Sequence, residues 1–101
     1  MLFRSGDVLT FGNKVFDQAD RKQAGSDQGL CIRIVPAKSW ECWWTTTLAG
    51  GQITVEGPFY DKANSTLAIT GGTGSYSSAS GSMDLKAHGK TKYDFVFRLT
   101  G

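Results

Sequence analysis

Apolar and polar residues alternate with a period of two through most of the chain. In the first such run Leu9, Phe11 and Asn13 lie on one face, with Val8 and Thr10 on the other. Because successive side chains of a strand point to opposite faces, this pattern predicts half-buried β-strands. Six further runs have the same character, at residues 29–35, 40–48, 52–60, 65–70, 81–87 and 92–100.

Turn-forming residues separate these runs. Residues 36–39, 49–51 and 61–64 carry the Pro, Gly, Asn and Asp typical of turns, and residues 71–74 (Gly-Gly-Thr-Gly) predict a tight hairpin turn. The polar stretch from Gln18 to Gln28 is interpreted as a long loop. No segment has a helical period longer than a turn or two, so residues 1–101 predict one all-β domain.

Several strands carry substantial residues on both faces, as where Arg33 follows Ile32 and Val96 follows Phe95. A small barrel fills its interior with one face of each strand. Apolar residues on the second face would then meet a partner. The pattern therefore favours a small closed antiparallel β-barrel of seven to eight strands in a homo-oligomer.

Charge and composition exclude several functions. The net charge is only +2, and the eleven Lys and Arg residues are scattered, which argues against nucleic-acid binding. No apolar run approaches the roughly 20 residues of a membrane span. The start of the chain lacks the pattern of a signal peptide, so we expect a cytoplasmic protein unless a signal segment has been removed. Two cysteines and one histidine are too few soft ligands for a zinc site, and no cofactor is expected.

Two cysteines flank the turn predicted at residues 36–39. A symmetric hairpin would set Cys31 opposite Cys42, either as two thiols or as a cross-strand disulfide. Arg33 shares the face of Cys31 and would point into the barrel. A buried guanidinium needs a carboxylate partner, for which Glu41 and Glu56 are candidates, or else an anionic or polar ligand. The alternative is that Arg33 extends to the rim.

Three tryptophans lie within five residues. Alternation places Trp43 on the face opposite Trp40 and Trp44, so the three cannot all line one pocket. Stacking on a ligand, core packing and a subunit contact are the alternatives for these rings.

Five short motifs follow one another along the chain. They are Asn-Lys-Val-Phe at 13–16, Gly-Leu-Cys at 29–31, Gly-Pro-Phe at 57–59, Leu-Ala-Ile-Thr-Gly-Gly at 67–72, and Gly-x-aromatic-x-x-Ala-x-Gly at 74–81. Together they resemble the allene oxide cyclase family, and the last of them is similar to a motif of the related dirigent proteins. The resemblance covers residues 6–101 in order and spacing.

This resemblance implies an eight-stranded barrel that is commonly trimeric, so we expect the homo-oligomer to be a trimer or a dimer. It also implies an enzyme that opens an allene oxide and closes a cyclopentenone. Asn13 falls on the family's water-holding asparagine, and Cys31 falls on a cavity cysteine. Leu9, Phe11 and Phe59 fall on wall positions. The family's carboxylate and Ser-Pro pair lie on a strand before Gly6, where this chain has almost no residues. The known constellation is therefore incomplete, and fold is a weaker guide to activity than to architecture.

The resulting hypothesis is a barrel that binds an apolar, oxygenated small molecule and steers its cyclisation or isomerisation. Asn13 is the catalytic candidate, orienting water or a polar oxygen, and Arg33 would set the polarity of the cavity. The remaining substrate-binding candidates are Leu9, Phe11, Cys31, Val55 and Phe59. The competing hypotheses are a non-catalytic binding barrel for a hydrophobic molecule and a dirigent-like protein that guides a coupling reaction.

Overall fold

The chain forms seven β-strands in a computed structural model that describes residues 3–16, 22–88 and 92–100. Those ranges contain no helix that is long and apolar enough to cross a membrane. The strands are β1 Val8–Phe16, β2 Gln23–Val35, β3 Ser39–Leu48, β4 Gly51–Tyr60, β5 Ser65–Gly74, β6 Gly81–His88 and β7 Lys92–Leu99.

All seven strands belong to one antiparallel sheet whose spatial order follows the chain, from β1 to β7. The sheet curls into a half-barrel, and in the described residues β1 pairs with β2 alone and β7 with β6 alone. The expected closed barrel is therefore not confirmed. The two edges approach each other through side chains, because Phe11 of β1 and Phe95 of β7 both contact the ring of Trp44. Neighbouring strands in a hydrogen-bonded ladder would lie closer together than this.

The concave face of the sheet holds the core. The alternation predicted from the sequence is confirmed at residues 40–46 of β3, 53–57 of β4, 65–69 of β5 and 83–85 of β6, where every second residue is buried. The buried apolar side chains are Cys31, Trp40, Cys42, Trp44, Ile53, Val55, Leu67, Ile69, Met83 and Leu85.

Two segments differ from the sequence prediction. Residues 23–28 form the first half of β2 and are not a loop. They pair with β1 on one side and, from Gly25 onward, with β3 on the other, so two ladders stabilise a stretch with few apolar residues. Residues 71–74 end β5 and pair with β4, and the turn lies at residues 75–78 instead. The part of the predicted loop at residues 18–21 lies outside the described residues.

The β2–β3 hairpin fixes the register of the two strands that carry much of the core. Ala37 adopts φ 63° in its turn, and the amide of Lys38 donates to the carbonyl of Val35 at 2.9 Å. Cys31 and Cys42 are direct partners across this hairpin and form a disulfide. The sequence left open whether these cysteines are two thiols or a cross-strand disulfide, and the structure contains the disulfide.

The convex face of β1 to β3 is unusually apolar. Val8, Leu30, Ile34 and Trp43 are all more than a third exposed. The finding agrees with the two-faced strands noted in the sequence, which were the basis for predicting an oligomer.

A close approach at Gly29 brings two rings together across β2. Gly29 is the register partner of both Phe11 on β1 and Trp44 on β3. Because it has no side chain, the rings of Phe11 and Trp44 meet over it, with centroids 5.8 Å apart. A Cβ at this position would overlap the backbone of Trp43 and Trp44.

The substitution Gly29→Ala should therefore lower the free energy of unfolding by about 1–3 kcal/mol, the usual cost of overpacking a core. Gly12→Ala is the matched control, since a Cβ there meets only the carbonyl oxygen of Asp27 at 3.8 Å. Urea unfolding monitored by tryptophan fluorescence measures both changes. Equal effects of the two substitutions would contradict the close approach.

Candidate functional site

A cavity of about 270 Å³ occupies the concave face of the half-barrel. Leu9, Asn13 and Tyr93 line it while remaining exposed, so the cavity opens to solvent between the β1 and β7 edges. Every strand except β5 contributes to its wall. The lining residues are Leu9, Phe11, Asn13, Asp27, Cys31, Trp40, Trp44, Phe59, Leu85, Tyr93 and Phe95.

Aromatic rings in edge-to-face contact form most of this wall. The ring of Trp44 lies 5.8 Å from that of Phe11 and 6.1 Å from that of Phe95, measured between centroids. Phe59 and Tyr93 form a second pair at 5.5 Å. Edge-to-face pairs contribute beyond their buried area and hold each ring in a defined orientation. The wall is thus a shaped apolar surface.

One end of the cavity is polar, because Asn13 of β1 and Asp27 of β2 are register partners and both line it. Asp27 is only 4% exposed, and its Oδ1 has no hydrogen-bond partner in the protein. Burial raises the pKa of the Asp27 carboxyl above its usual range, against the opposite effect of hydrogen bonds from Asn13. A desolvated carboxyl beside an amide, in an otherwise apolar cavity, is typical of a functional site.

Two buried polar atoms of β3 also have no hydrogen-bond partner in the protein. They are the indole Nε1 of Trp44 and the hydroxyl oxygen of Thr46. Thr46 is the register partner of Asp27 and is fully buried, but it does not line the cavity. We call Asn13 and Asp27 the polar end of the cavity.

Arg33 is buried, as predicted from its place on the same strand face as Cys31. Its carboxylate partner is Asp61 and not Glu41 or Glu56. Its two terminal nitrogens each donate to a carboxylate oxygen of Asp61 at 2.7 Å. The two glutamates fail as partners because alternation directs their side chains away from the concave face, whereas Asp61 lies just beyond the end of β4.

The same guanidinium lies 4.4 Å from the ring centroid of Trp40, which lines the cavity. The ring of Phe3 also contacts Trp40, with the two ring centroids 4.9 Å apart. Arg33 therefore supports a wall residue and does not itself line the cavity.

The structure brings together five of the seven residues named from the sequence. Val55 and Arg33 are buried next to the cavity without lining it. Cys31 lines the cavity as half of a disulfide. The five lining residues are Leu9, Phe11, Asn13, Cys31 and Phe59.

Sequence reasoning missed Asp27, Leu85, Tyr93 and Phe95 as cavity residues. Asp27 lies in the segment predicted as a loop, and its position on the face of Cys31 becomes evident only once that segment is known to be a strand. The other three lie in segments predicted as strands. Alternation along a strand does not show which strands face each other across a barrel, so it could not place these residues in one cavity.

Among the residues that the model describes, no group of three or more His, Cys, Asp or Glu side chains is arranged to hold a metal ion. The polar end offers one carboxyl group, from Asp27, and one amide, from Asn13. Such a set can bind and orient a polar group and can exchange a proton at Asp27.

A family model described as allene oxide cyclase matches residues 2–101. The chain belongs to the allene oxide cyclase family. Among solved structures, that of a protein named pyocyanin demethylase has a similar fold, with a TM-score of 0.81 and 28% sequence identity. The match covers 97% of this chain and 83% of that one. Together the family and this neighbour support a small-molecule-binding β-barrel, as predicted from the motifs.

The Arg33–Asp61 pair gives a pH-dependent prediction. Its hydrogen bonds lower the pKa of Asp61, so the stabilisation is fully present above the unfolded-state pKa of about 4. It is lost as the pH falls through the lower folded-state value. Asp61→Asn should therefore lower Tm by at least about 4 °C at pH 7, with a difference from the unsubstituted protein that shrinks below pH 4.

The matched control is Asp84→Asn, which breaks an ion pair with the well-exposed Arg98. Exposed pairs contribute little, so its effect on Tm at pH 7 should be less than half as large. Thermal unfolding followed by circular dichroism from pH 2 to pH 7 measures both. A Tm difference for Asp61→Asn that is independent of pH would refute the assignment.

Proposed function

We propose that this protein binds a compact, apolar, oxygenated molecule in the cavity of the half-barrel and steers its cyclisation or isomerisation. The observation that carries the proposal is the pairing of Asn13 with Asp27 at one end of a cavity whose other walls are apolar and aromatic. An apolar cup with a few converging polar groups is the usual form of a small-molecule site.

The chemistry follows from confinement and from charge. The aromatic walls hold a flexible substrate in one folded shape, which removes most of the entropy cost of ring closure. In a cyclisation of the family's type, the C–O bond of an epoxide opens and a C–C bond closes the ring. All atoms stay within one molecule, so no oxidant or second reactant is needed.

Asn13 is the residue we propose for contact with the reacting oxygen, directly or through a water molecule. Its amide can donate to an oxygen that gains negative charge as the epoxide opens. Asp27 adds a carboxyl at the same end of the cavity. Because its pKa is raised, it exchanges protons closer to neutral pH than a surface carboxyl does.

A non-catalytic binding barrel is the second candidate, together with a dirigent-like role in guiding a coupling reaction. The cavity and its apolar wall fit these functions equally well, since neither requires Asn13 or Asp27 to act on the ligand. The neighbour named pyocyanin demethylase suggests that chemistry in this fold extends beyond cyclisation. Turnover is what separates these candidates.

Assembly and location remain predictions from the sequence. The exposed apolar residues of β1 to β3 support a homo-oligomer, because contiguous apolar patches on a sheet are typical of interfaces. The cytoplasmic location is in tension with the Cys31–Cys42 disulfide, since stable disulfides are rare in the cytoplasm.

Thiol alkylation and mass spectrometry of protein taken from its native compartment distinguish these locations. Two unmodified cysteines before reduction and two alkylated ones after it would place the protein in an oxidising compartment. Two alkylated cysteines without any reduction would support the cytoplasm.

The proposed cyclisation is tested by generating an unstable allene oxide in the presence and in the absence of the protein. Chiral chromatography of the cyclopentenone should show an enantiomeric excess above the spontaneous background. Asn13→Ala should lower kcat/KM at least about tenfold, because it removes a donor at the reacting oxygen. Lys14→Ala, on the opposite face of the same strand, is the matched control and should leave kcat/KM unchanged.

A racemic product in the presence of a protein that binds the substrate would reject the cyclase and favour the binding barrel. Full activity of Asn13→Ala, with enantiomeric excess retained, would remove Asn13 from the mechanism.

A further inference from the structure

The side chain of Asn13 is the accessible part of the polar end. Asn13 lines the cavity and is exposed, whereas Asp27, its register partner on β2, is only 4% exposed. A ligand in the cavity can therefore contact the Asn13 amide without reaching the Asp27 carboxyl. An effect of Asp27 on such a ligand does not require contact, because it can act through Asn13.

Hydrogen bonds join these two residues directly. Asn13 donates to the Asp27 carboxyl from its side-chain amide and from its backbone N–H, and both bonds favour the ionised carboxylate. A carboxylate can only accept hydrogen bonds, so the side of the amide that faces it must be the nitrogen. While Asp27 is ionised, the amide oxygen of Asn13 is thus the part that Asp27 does not engage.

Protonation of Asp27 reverses this relation. The carboxyl then carries an O–H group, which the amide oxygen of Asn13 can accept. The last torsion of an asparagine side chain is broad and roughly two-fold, so half a turn exchanges the oxygen and nitrogen positions with little change in shape. In that orientation both N–H groups of the amide are available to the cavity.

We propose that Asp27 is a positioning residue that decides which edge of the Asn13 amide faces the cavity. Ionised Asp27 makes the site an acceptor for N–H or O–H groups of the ligand, and protonated Asp27 makes it a donor to a ligand oxygen. This inference rests on the proposed small-molecule function and describes how hydrogen-bond specificity is set at that same site. The reacting oxygen of the proposed substrate is an acceptor, so protonated Asp27 favours its binding.

The change between the two forms falls in a range where the fold is retained. Burial raises the pKa of Asp27 above the usual carboxyl value of about 4. Asp27 is ionised above its folded-state pKa and protonated below it, so the exchange occurs above about pH 4. The Arg33–Asp61 pair is still stabilising there, because the pKa of Asp61 is lowered.

Few other titratable groups share the concave face with Asp27, among the side chains that the structure describes. Arg33 lies on the same face of β2 and is paired with Asp61. The strands β1, β3, β4, β5 and β6 contribute no titratable side chain to this face, since Cys42 is in the disulfide. β7 contributes Tyr93, and phenols as a class lose their proton only at about pH 10. A change near pH 4 to 8 is therefore attributable to Asp27.

The first measurement needs no ligand. In labelled protein, the ¹³C signal of the Asp27 carboxyl and the ¹⁵N signal of the Asn13 side-chain amide are followed by NMR from pH 4 to pH 8. We expect both to change with one midpoint. Asp27→Asn, which keeps the shape of the side chain but cannot ionise, should leave the Asn13 amide signal independent of pH.

Three bicyclic probes of similar size then test specificity: indole donates a hydrogen bond, 1-indanone accepts one, and indene does neither. None of them gains or loses a proton between pH 4 and pH 8. Affinities are obtained by titrating ¹⁵N-labelled protein and following the signals of cavity residues. From pH 4 to pH 8 the affinity of indole relative to indene should rise about threefold or more, and that of 1-indanone should fall by a similar factor, the scale of one neutral hydrogen bond.

Variants assign these changes to the two residues. Asp27→Asn should abolish the pH dependence of both affinity ratios. Asn13→Ala should abolish it as well while indene still binds. Asp84→Asn is the matched control, because it removes a carboxylate that bonds to Thr66 and Arg98 on the outer face of the sheet. It should leave the pH dependence unchanged.

Failure of this inference differs from failure of the proposed function. If the probes bind but their affinity ratios do not depend on pH, or depend on it equally in folded Asp27→Asn, the positioning role is rejected and the binding cavity stands. An Asp27 carboxyl that titrates without any change at the Asn13 amide, or that stays in one form throughout, also overturns it. If no probe shifts any cavity residue up to its solubility limit, the small-molecule function fails, and the ligand-free titration still decides whether Asp27 controls the amide.

Discussion

The contact of Trp44 with rings from both edges of the sheet is the interaction on which the site depends. Phe11 reaches Trp44 from β1, across Gly29, and Phe95 reaches it from β7. These two contacts link the first and last strands through a side chain of β3, an interior strand, in a sheet whose edges are not joined by hydrogen bonds within the described residues. The curl of the sheet brings the rings together, and the ring cluster in turn forms a large part of the cavity wall.

The face that carries this cluster also buries polar side chains. Asp27 on β2 and Thr46 on β3 are register partners, and both are less than a tenth exposed. Burial disfavours the charged form of Asp27 and raises its pKa. The folding of this face therefore also determines how readily a carboxyl in the cavity wall takes up a proton.

The sequence predicted the strands and their faces better than it predicted what the faces enclose. The face shared by Leu9, Phe11 and Asn13, and the pairing of Cys31 with Cys42, follow from alternation and from hairpin symmetry, which are local. Asp27 escaped because Ser26, Asp27 and Gln28 are all polar, so no alternation marks their strand. Its burial comes from partners on β1 and β3, which are distant in the sequence. Closure of the barrel is not confirmed, and alternation could not settle it, because closure depends on the first and last strands together.

Arg33 shows how a correct local prediction can still mislead about function. Its face is buried, and its need for a carboxylate is real, yet Asp61 meets that need within the protein. A cation that is already paired and stacked on Trp40 has little attraction left for an anionic ligand. Asp27 differs because it lines the cavity and because burial, which disfavours its charged form, raises its pKa. The two buried groups therefore have different consequences for the site. The charge of Arg33 is compensated within the protein by Asp61, whereas Asp27 is the group whose protonation changes the polarity of the cavity wall.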